Sequence, residues 1–141
     1  MLTIIVRCRC ILLTCSLLVA VGCGSRYYPV QGKVTLEDGK PLTKGMVVFE
    51  NTDGTEMARG MIQTDGRYQL STGKPGDGVK PGRYRVLVSA LDMTDVPDEL
   101  KKLPFDIKYT RFQTSGLEFE VKAEPNDIPI KLQRPSPRTK N

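Results

Sequence analysis

The sequence predicts an all-β fold, an antiparallel β-sandwich of six or seven short strands in one domain. Three observations predict it. Apolar residues recur with period two over short runs, glycine and proline turns punctuate those runs, and no long amphipathic helix is present to build βαβ units.

The first run is Val30, Gly32, Val34 and Leu36 alternating with Gln31, Lys33 and Thr35, and it stops at the turn Asp38-Gly39-Lys40-Pro41. Gly45 to Glu50 carries Val47 and Phe49 on one face and Met46 and Val48 on the other. Both faces are partly apolar, which predicts a strand in the middle of a sheet. Met57 to Thr64 and Arg67 to Ser71 flank Asp65-Gly66, a pair of residues that accepts the positive φ of a tight hairpin turn. After the glycine-rich loop Thr72 to Val79, the run Pro81 to Ser89 places Tyr84, Val86 and Val88 on one face and Arg83, Arg85 and Leu87 on the other. Leu117, Phe119 and Val121 alternate with Glu118 and Glu120, and Ile128, Ile130 and Leu132 form the last run. Pro129 cannot donate a ladder hydrogen bond, so that last strand is expected at a sheet edge.

Residues 90–115 break the pattern. Asp95 to Leu103 has an acidic start and a basic end that suit one or two helical turns, and Pro104 would terminate them. Phe105, Ile107, Tyr109 and Phe112 are apolar positions in what otherwise reads as a loop. A connection of this length is uncommon in a compact domain. It is expected either to cover one open end of the core or to act as a lid over a ligand.

The N-terminus carries the most specific signal in the chain. Arg7 and Arg9 precede an apolar run from Ile11 to Val21, and the run closes on Leu17-Leu18-Val19-Ala20-Val21-Gly22-Cys23. This resembles the lipobox of bacterial lipoproteins, with small Gly22 at the cleavage position and Cys23 as the lipid attachment residue. A spanning helix needs about 20 apolar residues, and the two arginines interrupt the stretch before that length is reached. An ordinary secretory leader beside an incidental cysteine is the alternative, because Ala20 stands where a lipobox more often has Leu. Under the lipobox reading, residues 1–22 are a signal peptide, 23–28 the lipidated cysteine and a short tether, 29–133 the sandwich and 134–141 a polar, proline-containing basic tail. Two or three acyl chains, each contributing about 0.8 kcal/mol per buried methylene, would hold the protein on a membrane. The expected location is the cell envelope, facing the periplasm or the exterior.

Composition narrows the function. The four cysteines are Cys8, Cys10, Cys15 and Cys23, so the processed domain would be stable without a disulfide. The 141 residues less a 22-residue leader leave 119, enough for one core. Loss of Arg7 and Arg9 leaves 19 basic against 16 acidic side chains, a net charge of +3. That is too mild and too evenly spread for nucleic acid.

Val30-Gln31-Gly32-Lys33-Val34-Thr35, Gly39-Lys40-Pro41-Leu42, Val47-Val48-Phe49, Thr64-Asp65-Gly66-Arg67-Tyr68-Gln69-Leu70 and Pro81-Gly82-Arg83-Tyr84-Arg85-Val86-Leu87-Val88, in that order, resemble the transthyretin-like, carboxypeptidase regulatory-like domain. With the lipobox, Lys108-Tyr109 and Thr114-Ser115-Gly116-Leu117, the chain is also similar to small lipoproteins of planctomycete-type bacteria. The likeness runs over residues 29–132. It implies a Greek-key sandwich of about seven strands of the prealbumin type, in a group with no settled biochemical activity. Transthyretin-like hydrolases of the ureide pathway depend on histidines, and this chain has none.

No catalytic residue, cofactor or metal is expected. Without histidine, and without a free thiol after processing, the commonest general base and two common nucleophile arrangements are missing. Asp53 with Glu56, and Asp92 with Asp95, are carboxylate pairs in loops that read as solvated. Asp92, Asp95, Asp98 and Glu99 lack the spacing of a calcium loop, and Gly73-Lys74-Pro75-Gly76-Asp77-Gly78 leads into a strand without the ending of a phosphate loop. Tyr68 and Tyr84 read as inward corner residues whose hydroxyls reach backbone carbonyls. The expected function is a noncatalytic, membrane-anchored module with a structural or binding role towards a cell-surface protein, wall polymer or glycan. The alternative is a soluble-ligand or glycan-binding accessory protein using 90–115 as its lid.

Overall fold

A computed structural model describes residues 26–89 and 103–135. The leader, Cys23, most of the stretch Asp95 to Leu103 where helical turns were expected, and the last six residues of the tail lie outside the described residues.

Strands form where the alternation placed them. They are β1 (Val30–Leu36), β2 (Met46–Asn51), β3 (Met57–Met61), β4 (Arg67–Gln69), β5 (Gly82–Ser89), β6 (Leu117–Val121), β7 (Asn126–Asp127) and β8 (Ile130–Leu132). One sheet has the order β3-β2-β5-β6, antiparallel throughout. The other places β1 between β4 on one side and β7 and β8 on the other. The inward faces of both sheets meet in one core, with Val30 and Val34 from β1, Val47 and Phe49 from β2, Tyr84, Val86 and Val88 from β5, and Ile130 and Leu132 from β8. Phe49 is its hub, with ring centroids 6.4 Å from Tyr68 across the sandwich and 6.1 Å from Tyr84 and Phe119. Each such side chain, withdrawn from water, stabilises the fold by about 1.5–3 kcal/mol.

The expectation of a wholly antiparallel sandwich is corrected at one edge. Both β7 and β8 run parallel to β1, with Val30 opposite Asn126 and Val34 opposite Ile130. Parallel neighbours need a long crossover, and here all of the chain from β2 to β6 supplies it. Ile128 and Pro129 interrupt this edge strand, which therefore appears as two short segments. Its edge position is the one that Pro129 required.

The expected hairpin about Asp65-Gly66 is corrected too. Its turn forms: Gln63 donates its amide to the Arg67 carbonyl at 2.8 Å, and Gly66 adopts φ 86°. Its strands then part, β3 into one sheet and β4 into the other, keeping a single antiparallel bridge between Arg59 and Ser71. The strands cross closely there, and a Cβ on Gly60 would stand 2.5 Å from the Gln69 carbonyl oxygen. The chain changes sheet at a corner where a side chain has no room.

The described part of the long insertion packs inward. Leu103, Phe105 and Tyr109 join the core, with the last two rings edge-on at 6.4 Å, while Ile107 is 54% exposed. Asp106 caps the 3-10 turn Ile107–Thr110 by accepting from the Lys108 amide at 2.9 Å. A helical turn over Phe112–Ser115 follows and ends at Gly116, φ 66°. Asp106 donates its amide to the Gln133 carbonyl at 2.9 Å, which ties the segment to the end of β8. Arg134, the first residue assigned to the tail, bonds the Asp38 carboxylate and holds its pKa below the ordinary value.

Candidate functional site

Alternation along β1 turns Val30, Gly32 and Val34 inward and leaves Gln31 and Lys33 on the outer face. The register then sets Gln31 between Gln69 of β4 and Asp127 of β7, and Lys33 opposite Arg67. With Gln63 from the turn before β4, these side chains line an open cleft of about 320 Å³, floored by Gly32 and Tyr68. Three carboxamides, two cations and one carboxylate supply hydrogen-bond donors and acceptors side by side. Arg67 is paired with Asp65, Nε to Oδ2 at 3.3 Å, on an exposed surface where the pair is worth little. The lining offers polar groups of both charges and no exposed aromatic ring.

The floor is fixed by a buried contact. The Tyr68 hydroxyl donates to the Ile128 carbonyl at 2.7 Å, and burial pushes its phenol well above the ordinary value, Asp127 adding to the effect. The same carbonyl explains Gly32, since a Cβ there would overlap the Ile128 oxygen. The Tyr84 hydroxyl donates to the Lys80 carbonyl at 3.0 Å, and burial pushes its pKa up to about 12, helped by Glu56 and Asp53. Both tyrosines thus occupy the corner positions expected of them.

The acidic candidates separate. Asp53 accepts from the Thr55 hydroxyl at 2.7 Å and the Thr55 amide at 3.0 Å, and these bonds hold its carboxyl below the ordinary range. Glu56 pairs instead with Lys80 at 3.3 Å. Asp53 therefore stays ionised near neutrality, and the two carboxylates have different partners. Asp92, Asp95, Asp98 and Glu99 lie outside the described residues, as does Cys23. Among the described residues no three His, Cys, Asp or Glu side chains gather as a metal site, and no helix is long and apolar enough to cross a membrane.

In the glycine-rich loop the amides of Thr72, Gly73 and Lys74 all point at the Asp77 carboxylate, each at 2.8 Å. These bonds lower the Asp77 pKa, that from Lys74 most. An anion-binding nest exists here, and the chain's own carboxylate fills it.

The cleft residues Gln31, Lys33, Gln63, Arg67, Gln69 and Asp127 were not singled out by sequence. Their only local sign is polarity at alternate positions, and three separate stretches must meet before a site exists. No protein-family model and no curated protein sequence matches this chain.

Proposed function

We propose that this chain is an exported, noncatalytic β-sandwich module of the cell envelope, held to a membrane through lipid on Cys23, and that its outer-face cleft gives it a binding role. The observation that carries the reading is the spacing of leader and fold. Cys23, at the end of the apolar run, precedes by five residues Tyr28, whose amide donates to the Val79 carbonyl at 2.8 Å and whose carbonyl accepts from the Val79 amide at 2.9 Å. A folded body that begins this soon after the cysteine is suited to an anchored domain.

The sandwich is of the transthyretin-like, carboxypeptidase regulatory-like type. The Greek-key reading draws support from β1 pairing with β4, β7 and β8 while β2 pairs with β3 and β5, so that consecutive strands repeatedly change sheet. The absence of catalysis draws support from a chain with no histidine, and from Asp53 and Glu56 each held by its own partner. Burial of Leu103, Phe105 and Tyr109 in the core favours a cover over a ligand lid for the 90–115 insertion. A partner is accordingly sought at the outer-face cleft: a cell-surface protein, a wall polymer or a glycan.

Intact mass and detergent partitioning in a lipoprotein-processing bacterium test the anchor. Expected are loss of residues 1–22, a mass increment of acyl size, and partitioning into detergent that disappears in Cys23→Ser. A cleaved, unmodified, fully aqueous product would refute the anchor and leave a secreted domain.

A further inference from the structure

The strand directions sort the connections into two ends of the sandwich. β1 starts beside Tyr28 and Val79, and Val30 lies opposite Asn126. The end of β2 and the start of β5 share this end, because Asn51 pairs with Tyr84 and Thr52 donates its amide to the Arg83 carbonyl at 3.1 Å. β6 finishes here as well, with Val121 opposite Gly82. Residues 26–29, the turn 51–56, the 79–81 entry to β5 and the turn 122–125 therefore form one end. The turn 37–40, the 62–66 turn and the end of β5 at Ser89, opposite Met46, form the other.

From Cys23 to Tyr28 is five residue steps, at most about 17 Å of extended chain, and the Tyr28–Val79 bridge fixes the end of that tether to the body. β1 alone, at about 3.3 Å per residue over seven residues, is longer than this reach. Only one end of the sandwich can stay close to an acyl group on Cys23.

We infer that the end made by residues 26–29, 51–56, 79–81 and 122–125 rests against the phospholipid headgroup layer, with Tyr27 at the interface. The inference rests on the anchoring reading given above. The surface chemistry of this end fits. Tyr27 is 41% exposed and lies under the Lys80 ammonium, Nζ to ring centroid 5.2 Å, an aromatic and a cation of the kind that settle at a membrane–water boundary. Exposed Met57 begins β3 at the same end. Two of its acids face cations, Glu56 with Lys80 and Glu124 with Lys122 at 4.0 Å, while Asp53 keeps its charge and accepts from Thr55. Arg26, Lys80 and Lys122 balance Asp53, Glu56 and Glu124 over these four stretches, so anionic headgroups would meet no net negative charge from them. The arrangement leaves the outer-face cleft on the flank of the module, open to a partner beside it.

The chain has no tryptophan, so single probes report cleanly. Tyr27→Trp and Ala123→Trp mark the end near the tether, and Glu37→Trp marks the opposite end. All three sites are exposed, and far-UV spectra matching the parent certify their folding. The full, acylated proteins are reconstituted into phosphatidylcholine–phosphatidylglycerol vesicles with and without lipids carrying a headgroup-level nitroxide quencher. Several-fold stronger quenching at positions 27 and 123 than at 37 is expected. Equal quenching at both ends, or stronger quenching at 37, in protein that co-sediments with the vesicles would overturn the orientation while leaving the anchor standing. Failure of the acylation-competent protein to co-sediment would overturn the anchoring reading, and the orientation with it.

Discussion

At Gly32 one methyl group decides whether β1 can lie beside the edge strand of its sheet, because the Ile128 carbonyl occupies the space that a Cβ would need. Gly32→Ala is expected to lower stability by roughly 3 kcal/mol in urea unfolding. Tyr68→Phe removes the buried donor to that same carbonyl and should cost about 1–3 kcal/mol. The double variant should lose less than the sum, since both changes act on the Ile128 carbonyl. Tyr84 makes a pH prediction. Its phenol is raised from 10.0 to about 12, so the fold favours the neutral form. The resulting stability is complete below the unfolded value and fades as pH climbs through the folded one. The urea midpoint should therefore fall between pH 10.0 and about 12, and less steeply in Tyr84→Phe. Tyr68, also raised by burial, keeps part of the effect. The glycine at 32 and the two inward tyrosines were legible from strand parity. Their carbonyl partners were not, because Ile128 and Lys80 are chosen by packing.

Among the connecting elements, the loop 72–79 is organised by one side chain. Asp77 gathers three backbone amides, and its carboxyl is held below 3.8. A depressed carboxylate pKa stabilises the fold above the unfolded value, and that contribution is lost as pH falls through the folded one. Asp77→Asn should consequently melt below the parent near neutral pH, and the gap in Tm should close as both are scanned below pH 3.8. A constant gap at all pH values would mean that the amides see shape alone. The sequence marked this loop by its glycines, but the convergence of three amides on Asp77 exists only once the loop has closed. The hairpin shows the same division at strand level. Asp65-Gly66 makes its turn, yet the clash that a side chain at Gly60 would meet with Gln69 belongs to a crossing of two sheets.

Across the whole molecule, the test of the insertion is cooperativity. Phe105 is fully buried beside Tyr109 and Leu103 in the common core, so Phe105→Ala should lower stability by about 3–5 kcal/mol. It should do so in a single transition seen alike by far-UV circular dichroism and tyrosine fluorescence. A separate early transition, with the sandwich unaffected, would make the segment an independent flap. The cleft also belongs to this scale. Gln31 and Lys33, Gln63 to Gln69, and Asp127 are far apart in sequence and become neighbours only through the register of β1 with β4 and β7.

The sequence by itself determined the strands, their inward faces and their turns, because alternation, glycine and proline act on residues a few positions apart. Val30, Val34, Phe49, Tyr84, Val86 and Val88 are buried as their parity required. Tertiary structure decided which sheet each strand joined, the parallel edge of Val34 with Ile130, and the inward packing of Leu103, Phe105 and Tyr109. It also assembled the polar cleft. The physical reason is that register and sheet membership are set by hydrogen bonds and core contacts between distant stretches, and no local pattern encodes its partner.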